Sequence, residues 1–189
     1  MNVTSIVLPP KMHIRHRFLT ASSILLLGDL QGRDLFESSC PSLRLKRRAI
    51  VSTVGSEQRD LLLLEPVWGL SGDIMISLSD EEILGVLQRV NEPDGTRWVM
   101  VDAQGKRRLT VRLQGSFLER LKKEMSLFAS REKKFFADNV FVGSFVTLSG
   151  YVNERYTLTL NPVAAGRVDH RFLLAAAVLM TGLFERSFT

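Results

Sequence analysis

Residues 98–113 read Trp98-Val99-Met100-Val101-Asp102-Ala103-Gln104-Gly105-Lys106-Arg107-Arg108-Leu109-Thr110-Val111-Arg112-Leu113. Two runs rich in β-branched and apolar residues flank a four-residue Asp-x-x-Gly segment, which is the pattern of a β-hairpin. In such a turn the aspartate oxygen can accept backbone N–H groups, and the glycine supplies the positive φ that the return strand needs. The reading of Asp102 and Gly105 is therefore turn chemistry, not a metal or phosphate site.

The same unit recurs upstream. Residues 23–27 lead through Asp29-Leu30-Gln31-Gly32 into 34–37, residues 49–54 turn at 55–57 into 61–64, and residues 74–78 turn at 79–82 into 83–90. The turns begin about every 25 residues through four units, a repetition that marks a series of hairpins. After Leu113 the period changes: Leu118, Leu121, Met125 and Phe128 fall on one face at helical spacing, which predicts an amphipathic helix. Residues 140–148 and 151–160 resume the strand pattern, and 162–166 read as a loop.

Residues 172–184, FLLAAAVLMTGLF, form the most apolar stretch of the chain. Crossing a bilayer takes roughly 20 apolar residues, so this run is expected to be a buried core helix and the protein not to be transmembrane. Its expected buried residues are Phe172, Leu173, Leu174, Val178, Leu179, Leu183 and Phe184. A sheet of many hairpins escapes exposed edges by closing on itself, and a helix about 20 Å long can fill the closed interior. The expected architecture is mainly β: a closed antiparallel barrel around a hydrophobic C-terminal helix, plus the amphipathic helix.

A chain of 189 residues with 45% hydrophobic and 24% charged residues builds one core and is not intrinsically disordered. The net charge of +5 biases it toward acidic partners. Basic residues gather at 11–17, 44–48, 106–108 and 120–134, the last group interleaved with Glu119, Glu124 and Glu132. The first 28 residues carry cations without an acid, as transit peptides do, but they also read as a first strand. Cys40 is the single cysteine, which excludes an intramolecular disulfide and a cysteine zinc site and fits a reducing, cytoplasmic setting.

Reactive groups do not converge in the sequence. His13 and His16 would point to opposite faces of a strand, so they cannot share a metal. Gly69-Leu70-Ser71-Gly72 lacks the frame of a nucleophile elbow, and no phosphate-binding glycine fingerprint occurs. Asp80-Glu81-Glu82 falls in a turn and reads as solvated. Trp68, Trp98, Tyr151 and Tyr156 are too scattered for a nucleic-acid stacking platform. No catalytic residue, metal site, cofactor or nucleic-acid partner is expected, and the protein reads as a non-enzyme.

Several stretches carry a family resemblance. They are His13-Ile14-Arg15-His16-Arg17-Phe18-Leu19, Asp29-Leu30-Gln31-Gly32-Arg33-Asp34-Leu35-Phe36, Ser42-Leu43-Arg44-Leu45-Lys46-Arg47-Arg48, Val142-Gly143-Ser144-Phe145 and residues 172–185. In order and spacing they resemble the tubby C-terminal-like superfamily, closest to LURP-one-related and phospholipid scramblase-like proteins. The resemblance implies a barrel of about twelve strands threaded by the C-terminal helix, with an N-terminal tail at 1–11 and a single barrel domain over 12–189. It also implies binding of membrane phospholipids in some members. The chain departs from scramblases in lacking their cysteine cluster and in offering only Asp169 where they carry an acidic calcium-linked segment; one carboxylate cannot build the six to eight oxygen ligands of Ca²⁺.

The leading functional expectation is a module that binds phospholipid headgroups or an anionic membrane surface as a peripheral membrane protein. Its expected contacts are Arg15, Arg17, Arg44, Lys46, Arg47, Arg48, Lys106 and Arg107. The alternatives are a protein-interaction scaffold with a protein partner and, third, a small-ligand carrier or enzyme.

Overall fold

The computed structural model describes residues 6–19, 22–41, 48–67, 72–79, 82–90, 92–93, 96–113, 131–148 and 155–181. Among them are twelve strands: β1 (Lys11–Leu19), β2 (Ser22–Gly28), β3 (Asp34–Pro41), β4 (Ala49–Thr53), β5 (Asp60–Pro66), β6 (Ile74–Leu78), β7 (Ile83–Arg89), β8 (Thr96–Asp102), β9 (Arg107–Leu113), β10 (Arg131–Ala137), β11 (Val140–Leu148) and β12 (Arg155–Leu160). One helix, α1 (His170–Met180), follows a 3-10 turn at Ala165–Arg167. Every strand pairs antiparallel with its neighbours in sequence, and β12 returns to β1, so the sheet is a closed barrel without edges.

Alternation explains which side chains enter the core. In β5, Leu62 and Leu64 are buried while Leu61 and Leu63 are only half-buried, as a two-residue period requires. The two Asp-x-x-Gly turns fold alike. Oδ1 of Asp29 accepts the N–H groups of Gln31 and Arg33 at 2.9 and 3.0 Å, and Oδ1 of Asp102 accepts those of Gln104 and Lys106 at 3.0 and 2.8 Å. Gly32 and Gly105 close these turns at φ 83° and 80°, where a side chain would be strained.

The apolar C-terminal run forms α1 two residues before its expected start. The Asp169 carboxylate caps it by accepting the N–H of Arg171 at 2.9 Å. Phe172, Leu173, Leu174, Val178 and Leu179 are all buried, in one cluster with inward strand residues such as Leu64, Ile76 and Phe145; Leu183 and Phe184 lie outside the described residues. At the far end Tyr156 donates its hydroxyl to the carbonyl of Thr181 at 3.1 Å, and Lys133 Nζ donates to that of Met180 at 2.9 Å. A cation there complements the negative end of the helix dipole. No helix among the described residues is long and apolar enough to cross a membrane.

One strand escaped the sequence pattern. Residues 131–134 read as the end of a charged cluster, yet they open β10, which joins β9 to β11. The alternation is masked because Lys133 occupies an inward position, its ammonium 5.5 Å from the Trp98 ring centroid and 5.6 Å from that of Phe145. A long aliphatic stem and two aromatic faces let a lysine fill a place usually held by a hydrophobe. The expected amphipathic helix of Leu118, Leu121, Met125 and Phe128 lies outside the described residues.

Candidate functional site

The alternation that buries Met12 and Ile14 turns Lys11, His13, Arg15 and Arg17 outward along β1. Their partners across the ladder are Thr159 opposite Lys11, Thr157 opposite His13, and Arg155 opposite Arg15. The outer wall at β12 and β1 thus carries four permanent cations, with Lys11 and Arg17 about 20 Å apart along the strand. Arg15 meets Asp34 at 2.8 Å. Lys11, Arg17 and Arg155 have no carboxylate within ion-pair distance among the described residues. Glu37, opposite Leu26 on β3, marks the acidic margin of the strip.

A cleft of about 360 Å³ lies at the rim where the N-terminus of α1 meets β7 and the β8–β9 turn. Its polar lining consists mainly of Glu82, Asp102, Arg108, Arg167 and Asp169, with Phe172 beneath. Burial works to raise Asp102, but the Lys106 N–H, the Arg108 guanidinium at 2.5 Å and the Gln104 N–H outweigh it and hold the carboxyl below its usual range. Asp169 is treated likewise: burial opposes its charge, and the Arg171 guanidinium and N–H hold it ionised. Two carboxylates locked to arginines neither donate a proton nor accept one readily near neutrality. The described lining thus holds three carboxylates, Glu82, Asp102 and Asp169, beside the cations Arg108 and Arg167.

No family model matches the chain, and no curated protein matches it. Among solved structures it is similar to the X-ray structure of a protein from Arabidopsis thaliana, with a TM-score of 0.57 and 14% identity over 95% of this chain and 98% of that one. At that identity the likeness shows a shared fold.

The barrel distributes the expected basic contacts unevenly. Arg15 and Arg17 share the β1 strip. Arg44, Lys46 and Arg47 lie outside the described residues. Arg48, half-buried just before β4, stands 4.0 Å from Glu65. Lys106 and Arg107 sit at the β8–β9 turn, and β9 is four strands from β1 around the ring; Arg107 is held by Glu92 at 3.0 Å. Lys106 and Arg107 are therefore not brought to Arg15 and Arg17. Arg155 was not among the expected contacts, because residues 151–160 read only as a strand and its place beside Arg15 appears in the β1–β12 register alone. His13 and His16 do take opposite faces, His13 beside Thr157 outside and His16 with its ring 5.8 Å from that of Tyr156.

Proposed function

We propose that this barrel is a non-enzymatic binding module that docks peripherally on an anionic membrane surface through the β1–β12 strip, in a cytoplasmic setting. One observation carries the reading: Arg15 faces Arg155 directly across the ladder. Like charges so placed destabilise a sheet, and among the described residues Asp34 is the one carboxylate within ion-pair distance of them. A plane of phosphate-bearing headgroups would supply the missing counter-charge to Lys11, Arg17 and Arg155 at once. The arginine-locked Asp102 and Asp169 of the rim cleft speak against acid–base work by those two groups.

We also infer that the chain belongs to the tubby C-terminal-like superfamily, near its LURP-one-related and scramblase-like members, and that α1 fills the barrel lumen. The shared fold and the ordered motifs support the first inference, and the burial of every residue from Phe172 to Met180 supports the second.

The test is co-sedimentation with vesicles of graded phosphatidylserine content. A cation near such a surface contributes roughly 1 kcal/mol, so replacing Lys11, Arg15, Arg17 and Arg155 together by alanine should weaken binding up to about a thousandfold. Undiminished binding by a folded quadruple variant would defeat the proposal.

A further inference from the structure

The rim just beyond this strip exposes apolar side chains, Phe141 less than the others because its ring also meets that of Phe136 at 5.9 Å. Phe141 opens β11, Val163 lies in the turn after β12, Val7 precedes β1, and Leu30 tops the β2–β3 turn. Because β11, β12, β1 and β2 are consecutive around the ring, these four side chains line one continuous sector of one rim. Val163 is 90% exposed, Val7 77% and Leu30 61%.

Their presentation is built. Asn161 accepts the Ala164 and Ala165 N–H groups on its carbonyl at 3.1 and 2.8 Å and the Val163 N–H on its side chain at 3.2 Å, while its amide nitrogen donates to the Phe141 carbonyl at 3.2 Å. The Leu160 N–H donates to Pro10 at 2.7 Å and the Leu8 N–H to His170 Nδ1 at 2.8 Å, which ties the segment bearing Val7 to the same rim. For Leu30 the molecule holds its own control. Asp29-Leu30-Gln31-Gly32 and Asp102-Ala103-Gln104-Gly105 make the same turn with the same bonds, and the second needs only alanine where the first exposes leucine.

Cations surround the apolar tips. Lys11 stands at the start of β1, Arg33 closes the Leu30 turn in a pair with Asp29, and Arg167 lies just beyond the Val163 turn. Among the described residues the acids of this sector are Asp29, paired with Arg33, Asp34, paired with Arg15, and the exposed Asp138 at the β10–β11 turn. Protruding apolar residues among cations match a bilayer interface, where acyl chains lie just beneath anionic headgroups.

We propose that the β11–β2 rim is the penetrating edge of the membrane site: Leu30, Val163, Val7 and Phe141 enter the interfacial layer while the neighbouring wall cations meet headgroup phosphates. This rests on the membrane-docking reading above, and adds the orientation of the barrel and an apolar part of the binding that salt does not screen.

Leu30→Cys, Val163→Cys and, as control, Ala103→Cys are each labelled with an environment-sensitive fluorophore, the buried Cys40 staying unlabelled. Mixed with phosphatidylserine vesicles, the labels at positions 30 and 163 should shift to the blue, brighten, and be quenched by nitroxide-bearing lipids. The label at 103 should not. The unlabelled Leu30→Ser/Val163→Ser variant should bind about tenfold more weakly in 1 M salt, where the strip is screened. Sedimentation of all variants with vesicles, without a shift at 30 or 163, overturns the penetrating rim and leaves the electrostatic site standing. The absence of sedimentation under any lipid composition overturns both, and points to a protein partner as the occupant of the rim.

Discussion

Replacing Gly85 by alanine drives a methyl group into a neighbouring strand and a helix at once. Gly85 faces inward on β7, opposite Asp102 of β8. A Cβ built there collides with the Val101 carbonyl oxygen and lies 3.0 Å from Phe172 Cε1 and 3.1 Å from Asp102 Cα. Two of these neighbours are backbone of the β7–β8 ladder, so relief requires opening that pairing. The third is the aromatic ring in the first turn of α1. Overpacking of this kind costs about 1–3 kcal/mol, and for a domain of this size each kcal/mol lowers the melting temperature by about 2–4 °C. A fall of about 2–12 °C in Gly85→Ala, followed by circular dichroism, is the expected result. Shrinking the ring in Gly85→Ala/Phe172→Leu should restore part of the loss, because it frees one contact of the three. Contacting residues give a coupling of about 0.5 kcal/mol or more in such a cycle. Unchanged stability of Gly85→Ala, or strict additivity of the two substitutions, would refute the packing of α1 against this wall.

Two further outcomes follow from the core and from the turns. Leu174, fully buried in α1, should cost about 2–5 kcal/mol when replaced by alanine, read from the urea midpoint; a cost below 1 kcal/mol would show that α1 is not surrounded on all sides. The carboxyls of Asp29, Asp102 and Asp169 are held below their ordinary value of 3.8 in the fold. A depressed folded value contributes stability that is complete above the unfolded value and is lost as pH falls through the folded one. Urea midpoints should therefore hold from neutrality to about pH 5, and decline below about pH 4. The Asp29→Asn/Asp102→Asn variant should start lower and lose less with acid; an equally steep acid limb would rule out these turns as its source.

The hairpins were legible because turn and strand agree. At Asp29 and Asp102 a side chain that satisfies backbone donors precedes a glycine free to take positive φ, and apolar alternation on either side fixes the inward face. α1 was legible because nothing polar interrupts 172–180. β10 was hidden for the opposite reason: its inward Lys133 finds carbonyl and aromatic partners on α1, β8 and β11, which sequence spacing does not display. The strip shows the same limit. Lys11, Arg15 and Arg17 are visible as an alternating set, but Arg155 joins them only through the register that closes the ring. Arg107, prominent in the sequence as part of a basic run, is spent on Glu92.

On the proposed membrane surface, wall and rim together constrain how the barrel would sit. Along β1, Arg15 lies about 14 Å and Arg17 about 20 Å from Lys11 at the rim. The headgroup layer of one leaflet is only about 5–8 Å deep, and the Debye length at physiological salt is about 8 Å. With the barrel axis upright on the membrane, Lys11 and Arg33 would meet phosphates, while Arg15, Arg17 and Arg155 would stand above the layer and be screened. Every strip cation can contribute only if the barrel leans onto its β12–β1 side. That lean lowers Val7 and Val163, which flank β1 and β12, and lifts Val54 and Ile83, which are exposed at rim turns farther around the ring. The apolar tips nearest the strip are thus those that a tilted barrel would submerge. Wall charge and rim apolarity then act on one surface, because the ring places them on the same side.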